Sequence, residues 1–208
     1  MKRHREAHCK CLVIHVKLVI GLGNPGEVYR FTRHNIGYVI IDHLAQQFSI
    51  DLRGQHPNLL TGRGAINGHE IILAKPGVFM NTSGTAVREL VKFYCLRTED
   101  LIIIHDDIDL AFGRIKIKTA GGSGGHRGVE SVCAALLTDN FIRLRIGIGR
   151  PPKHLMAKEF VLQPFTDEEQ EKLTQIKENA TDCLKIILNK GVTAAMNIFH
   201  SPQKIGAE

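Results

Sequence analysis

At 208 residues, with 43% hydrophobic and 23% charged residues, the chain suits one soluble globular domain with a substantial core. Its net charge of +6 permits an anionic partner such as nucleic acid without requiring one. No apolar run approaches the ~20 residues needed to span a bilayer, which excludes a helical membrane protein. The cysteines Cys9, Cys11, Cys95, Cys133 and Cys183 are odd in number and contain no C-x-x-C pair. That excludes a disulfide-dense scaffold and points to reduced thiols in the cytoplasm. Cys9 and Cys11, with His4 and His8, lack the usual zinc spacing, so a frayed terminus is the better reading. Residues 1–15 read as a basic, disordered extension, and Leu12–Ile14 is too short for a signal h-region. Val16 is the expected native start, the folded domain is expected over residues 16–200, and residues 201–208 form a polar tail.

Val16–Ile20 is an apolar run interrupted only by Lys17, as in a buried parallel strand. Ile36, Val39, Ile40, His43, Leu44 and Phe48 recur at steps of three and four, an amphipathic helix. Residues 49–58 read as loop. Leu59–Ile66 and His69–Ala74 form a hairpin around an Asn67-Gly68 turn. Asn81 or Thr82 can cap the next helix, which carries Val87, Leu90, Val91 and Tyr94 on one face. Leu101–Ile104 is a strongly apolar strand that ends in His105-Asp106-Asp107-Ile108-Asp109. Arg114–Thr119 alternates cations with isoleucine, like a half-exposed strand. Gly121–Gly128 is a second Gly-rich loop, followed by a short helix over Val129–Leu137 and a strand over Leu144–Gly149. Thr166 and Glu169 fit a capping box, opening a helix with Leu173, Ile176, Ala180, Leu184 and Ile187 inward. Gly191 is a stop, and a last short helix covers Ala194–Phe199. Alternating strands and helices imply a single α/β domain, with a mixed, mostly parallel sheet flanked by helices.

Gly21-Leu22-Gly23-Asn24-Pro25-Gly26 follows the first strand and has the spacing of a dinucleotide-binding loop. That fingerprint also needs an acidic residue about 20 positions on, at the end of a second strand. Asp42 has the separation but lies within the helical pattern. Pro25 and the polar run from Glu27 to Asn35 part the loop from the helix, so the third glycine cannot serve close strand–helix packing. Nicotinamide or flavin binding is therefore rejected.

Asn24, His34-Asn35, Asn81 and His105-Asp106 stand instead at the edges of apolar elements, where open α/β sheets form their ligand crevice. A histidine with a carboxylate partner is the minimal general-base pair. Asparagine amides donate and accept without charge, which suits an amide or ester substrate. No Gly-x-Ser-x-Gly elbow and no cysteine beside a loop histidine supplies a nucleophile, so water is inferred.

Six blocks carry a resemblance to a family. They are Val19-Ile20-Gly21-Leu22-Gly23-Asn24-Pro25-Gly26, Thr32-Arg33-His34-Asn35-Ile36-Gly37, Phe79-Met80-Asn81-Thr82-Ser83-Gly84, His105-Asp106-Asp107-Ile108-Asp109, Gly124-Gly125-His126-Arg127-Gly128 and Arg143-Leu144-Arg145-Ile146-Gly147-Ile148-Gly149. In this order they resemble bacterial-type peptidyl-tRNA hydrolase. The resemblance implies a monomeric α/β enzyme, without metal or cofactor, that cleaves the ester joining a peptide to the 3′ ribose of tRNA. It implies that His34 is the base and Asp106 its orienting carboxylate. It places Asn24, Tyr29, Phe79, Asn81 and Arg127 at the substrate, and Lys116, Lys118 and Arg145 on tRNA phosphate. The scarcity of aromatics, 6% with no tryptophan, favours backbone and shape recognition of RNA over base stacking.

Two positions depart from the family pattern. Arg127 stands where relatives usually have asparagine, and Ser123 where many have histidine. An arginine cannot accept a hydrogen bond. It either weakens hydrolysis or supplies a cation to the tRNA end or the oxyanion. The alternative is a non-hydrolytic RNA-binding relative with the same fold.

Overall fold

In the computed structural model, which describes residues 16–56 and 58–201, two buried strands set the architecture. β1 (Lys17–Gly21) and β5 (Leu101–Asp107) are parallel neighbours. Both are apolar on both faces. Val19, Ile102 and Ile104 enter one core cluster, while Leu18, Ile20, Leu101 and Ile103 enter another. A strand buried on both faces needs helices on each side. α1 (Ile36–Gln47) and α5 (Asp167–His200) cover the first face; α2 (Ser83–Phe93) and α3 (Arg127–Leu136) cover the second.

The remaining strands are β2 (Arg53–His56), β3 (Leu59–Ile66), β4 (His69–Pro76), β6 (Ile115–Lys118) and β7 (Ile142–Gly147). They complete a seven-stranded sheet of order β2-β3-β4-β1-β5-β7-β6. The centre is parallel, and β2, β3 and β6 pair antiparallel at the two edges. The sheet is mixed, as expected, with three parallel and three antiparallel pairings. From β1 the chain runs to β4 on one side and then crosses to β5 on the other. The loops after these three strands therefore converge at a switch point, the usual ligand crevice of such sheets.

The hairpin turn follows its sequence signal, with Asn67 and Gly68 both at positive φ (50° and 80°). The Thr166–Glu169 capping box is formed, and Gly191 (φ 82°) breaks the helical path of α5 at the expected stop. Three elements differ from expectation. Part of the 49–58 loop is the edge strand β2, whose Arg-Gly-Gln-His sequence has no β-forming signal. The strand that was to end at Ile104 continues through Asp107, because β7 pairs with it as far as Gly147. A short helix, α4 (Ala157–Val161), lies in a stretch with no helical period. Thr82 is the N-cap of α2 but does not cap with its side chain, since its hydroxyl donates back to the Phe79 carbonyl (2.9 Å). Residues 1–15, including the Cys9–Cys11 pair and the basic extension, and residues 202–208 of the tail lie outside the described residues. Among the described residues no helix is long and apolar enough to cross a membrane.

Gly37, in the first turn of α1, packs directly on the backbone of Leu22 and Ile104. A methyl group there would sit 2.5 Å from the carbonyl oxygens of both Leu22 and Ile104. Backbone cannot retreat as a side chain can, so Gly37→Ala is expected to destabilise by at least ~1–3 kcal/mol. The expected fall in Tm is about 2–12 °C. A variant melting with the parent would show that α1 packs less closely than this.

Candidate active site

The crevice is built from ends of apolar elements. Leu22 continues β1 by donating its N–H to the Ile104 carbonyl (2.9 Å), and Asn24 follows it. The Asn24 backbone is clasped by Asn35. Its N–H donates to Asn35 Oδ1 (2.8 Å), and its carbonyl accepts from Asn35 Nδ2 (2.9 Å). Asn24 Oδ1 accepts from the Met80 N–H (2.8 Å). That contact fixes the orientation of the Asn24 amide, because only the oxygen can accept. The Nδ2 hydrogens remain for other partners.

His34 lies in a 3-10 turn, Arg33–Asn35, directly before α1. The turn is tied down from the C-terminal side of the molecule. The Arg33 N–H donates to the Gln163 carbonyl (3.0 Å). Its buried guanidinium pairs with Glu169 (2.6 Å), donates to the Pro164 carbonyl (2.8 Å) and lies over the Phe160 ring. His34 Nδ1 stands 2.9 and 3.0 Å from the two carboxylate oxygens of Asp106. An ionised carboxylate only accepts, so Nδ1 carries the proton and Nε2 is the basic nitrogen.

Asp106 is 2% exposed, and Oδ1 takes a second hydrogen bond from His126 Nε2 (2.9 Å). Burial alone would raise its pKa. The two imidazoles, His34 and then His126, outweigh that by their proximity and hydrogen bonds and hold it well below the usual carboxylate range. His126 is itself fixed, because its Nδ1 accepts from the N–H groups of Gly128 and Val129 and so caps α3. A proton on that Nδ1 would face two donors, so Nδ1 is the accepting nitrogen and Nε2 the donor to Asp106.

The neighbouring His105 is buried, donates Nδ1–H to the Asp106 carbonyl (2.7 Å) and packs edge-on against His126 at 4.7 Å. Burial, and then the neighbouring His126, push its imidazole down to about 3. Nε2 of His105 is buried and without a hydrogen-bond partner among the described residues.

His34, Asp106 and His126 are the one group of three metal-type side chains among the described residues. The donor set does not suit an ion. Nδ1 of His34 and Nε2 of His126 both carry protons aimed at Asp106. His126 cannot move its proton to the other nitrogen without losing the α3 cap.

A cavity of about 460 Å³ opens over this arrangement, lined by Asn24, His34, Phe79, Asn81, Asp106 and Arg127, among others. Five of the expected site residues thus meet His34 in one space. Asn81 and Arg127 are exposed there, and Ser123 is half-buried on the same wall. Tyr29 stands behind, its ring edge-to-face with Phe79 at 6.4 Å, and does not line the cavity. A larger hollow of about 760 Å³ lies on the other side of Asn24 and Asn35, and has no histidine–carboxylate hydrogen bond in its walls.

The basic residues lie on one sheet face at the β6–β7 edge. Lys116 stands opposite Arg145, and Lys118 opposite Arg143. Arg145 is paired with Asp107 (2.7 Å), which also lines the cavity. The basic strip therefore abuts the site. Arg143 does not contribute to it. Its guanidinium is buried over Phe141 and donates to the carbonyls of Gly121, Gly122 and Asp139, bracing the second Gly-rich loop.

Sequence reasoning missed His126, Arg33 and the structural use of Asn35. His126 had a readable signal, since it follows two glycines at a helix start. Histidine is not among the usual capping residues, and this hid its role.

A family model described as peptidyl-tRNA hydrolase matches residues 18–207. The chain is 44% identical over 187 residues to the peptidyl-tRNA hydrolase of Mycolicibacterium gilvum (strain PYR-GCK), covering 88% of this chain and 96% of that one. It is equally similar to the enzyme of Mycobacterium tuberculosis (strain ATCC 25177 / H37Ra), with 44% identity covering 88% and 97%. The crystal structure of peptidyl-tRNA hydrolase from Acinetobacter baumannii superposes with a TM-score of 0.83 at 36% identity, covering 90% and 96%.

The low pKa of His105 makes folding pH-dependent. An unfolded histidine binds a proton near pH 6.5, while the folded His105 waits until about 3. Below pH 6.5 the unfolded chain gains a proton that the fold refuses, so stability falls as pH falls towards 3. His105→Asn removes that site. Urea unfolding at pH 7, 6 and 5 should give it a shallower stability slope, by up to roughly 1.4 kcal/mol per pH unit. Parallel slopes would mean that His105 binds its proton equally in both states.

Proposed function

The chain belongs to the peptidyl-tRNA hydrolase family and is a hydrolase of peptidyl-tRNA, and from that premise we propose that His34 is its general base and Asp106 the carboxylate orienting it. The observation that carries this reading is the hydrogen bond from His34 Nδ1 to a buried Asp106, which leaves Nε2 as the basic nitrogen of a side chain lining the cavity.

In this mechanism Nε2 of His34 takes a proton from water as the oxygen attacks the ester carbonyl. The tetrahedral intermediate carries its negative charge on the former carbonyl oxygen. Asn24 is the better placed donor for that oxyanion, because Met80 occupies its Oδ1 and leaves Nδ2 available. Collapse breaks the bond to the ribose 3′ oxygen, which receives the proton back from His34. The products are the free peptide carboxylic acid and tRNA. Asn81 and Phe79 hold the peptide, with Tyr29 supporting Phe79, and Arg127 faces the tRNA end of the substrate. Lys116, Lys118 and Arg145 grip tRNA phosphate more remotely. The enzyme works as a monomer in the cytoplasm, without metal or cofactor.

Positioned acid–base catalysis is worth ~10²–10⁴-fold, so His34→Ala should lose at least about a hundredfold in rate on N-blocked aminoacyl-tRNA while folding normally. Activity within threefold of the parent would remove His34 from this role. The same substrate separates an enzyme from a binding-only relative. The enzyme releases the blocked amino acid in preference to the free-amine form, whereas a binding protein retards the tRNA and leaves the ester intact.

Lys116→Ala and Arg145→Ala should weaken tRNA binding and reduce the slope of log K against log salt by about one each. Binding curves that superpose on the parent's across a salt series would exclude the phosphate strip.

A further inference from the structure

The cavity holds an excess of uncommitted positive charge. Its lining includes two carboxylates, and the oxygens of both are engaged by protein donors. Asp106 lies between His34 and His126, and Asp107 pairs with Arg145. Two cations on the lining, Arg127 at the start of α3 and Lys158 on α4, have no hydrogen-bond or ion-pair partner among the described residues. They belong to different elements of the lining. Arg127 follows the His126 that touches Asp106, and Lys158 is the charged residue of a wall otherwise made by Ala157, Val161 and Leu162. A ligand in the cavity meets positive charge from two of the elements that line it.

We propose that Arg127 and Lys158 together clamp the phosphate on the 5′ side of the esterified terminal nucleoside. The inference rests on the assignment of the scissile ester to His34. Once the ester is there, this phosphate is the nearest anion that every tRNA substrate carries, one nucleotide from the bond being cut. Side-chain carboxylates of the peptide vary from substrate to substrate and give no constant partner. A planar guanidinium matches phosphate with paired N–H donors, and a lysine adds a point charge. The Lys116–Arg145 strip is reached through Asp107 on the same side of the site, so the phosphate path continues from the clamp onto the sheet edge. The clamp also gives the arginine at position 127 a use that an uncharged residue there would not have.

The test compares N-acetyl-alanyl esters of adenosine and of adenosine 5′-monophosphate, with N-acetyl-alanyl-tRNA as the control substrate. A charge-assisted contact predicts that the parent prefers the 5′-phosphorylated ester by about tenfold or more in kcat/KM at low salt. In Arg127→Gln or Lys158→Gln the preference should shrink to below about threefold, and in Lys158→Glu it should vanish or invert. Inhibition of tRNA hydrolysis by adenosine 5′-monophosphate against adenosine provides the same ratio without turnover of a short ester. Equal use of the two esters by the parent, or a preference unchanged in the variants, overturns the clamp. So does a result in which the variants alter only the preference between N-acetyl-aspartyl-tRNA and N-acetyl-alanyl-tRNA, since the pair would then read the peptide. Failure of the parent on the control tRNA would instead overturn the reading on which the clamp rests.

Discussion

A carboxylate buried at the end of β5 organises the centre of this molecule. Asp106 carries its charge almost wholly buried, and such a charge needs hydrogen-bond donors. Both known donors are imidazoles, which have one N–H each when neutral. Donating that proton to Asp106 settles the tautomer of each ring. The remaining nitrogen of His126 accepts from the first amides of α3, and the remaining nitrogen of His34 is left basic beside the cavity. One buried charge therefore fixes the start of a helix and the protonation state of the candidate base. Its backbone carbonyl takes the N–H of a third imidazole, His105, which fills the space behind His126 without adding charge.

This arrangement works only if the turn bearing His34 cannot swing. Three ties hold it. Gly37 lets the start of α1 touch the backbone of Leu22 and Ile104. Asn35 clasps the backbone of Asn24 on the strand side. Arg33 reaches the opposite way, to Glu169 at the start of α5. The same Glu169 oxygen accepts the Thr166 N–H of the capping box (2.9 Å). A local helix-start signal is thus also an anchor for a residue far away in sequence. Rigid placement of a base is worth much of its catalytic effect, which gives this scaffolding a chemical consequence.

The periodic parts of the chain were legible because burial on one or both faces writes itself into the residue order. β1, β5, α1 and the Asn67-Gly68 hairpin follow that pattern. β2 was hidden because an edge strand is held by pairing with β3 and needs no apolar face of its own. The site was legible as a set of residue types, and the resemblance placed His34 and Asp106 together. The second donor to Asp106 was not legible, since nothing in the spacing of His126 says that its ring spans a carboxylate and a helix terminus. The first Gly-rich loop shows the same limit. Gly21 would clash with the Gly37 backbone if it carried a methyl group, whereas at Gly26 a methyl group would meet only the Tyr29 ring at 3.9 Å, and the residue has a φ of 103°. Close packing to the helix thus falls to the first glycine and the turn to the third, the reverse of what a dinucleotide fingerprint asks.

Charge was the least informative property of the sequence, because an arginine in a sequence does not say whether it faces solvent. Three of the arginines in this region act as structural fasteners. Arg33 pins the His34 turn, Arg143 gathers carbonyls of the second Gly-rich loop, and Arg114 holds the carbonyls of His200 and Ser201. Arg33 and Arg143 are buried and spend their donors inside the protein, and so offer little to an anion. What remains near the cleft is a smaller set, with Lys116 and Arg145 opposite each other on the sheet edge and Arg127 and Lys158 on the cavity walls. The positive character relevant to an RNA substrate comes from these few positions around the cleft, and the chain total of +6 does not locate them. A hydrogen-bonded Asp106–His34–His126 centre inside a positive rim separates two tasks. The rim attracts polyanion, while the centre directs His34 Nδ1 to Asp106 and leaves Nε2 for the substrate side.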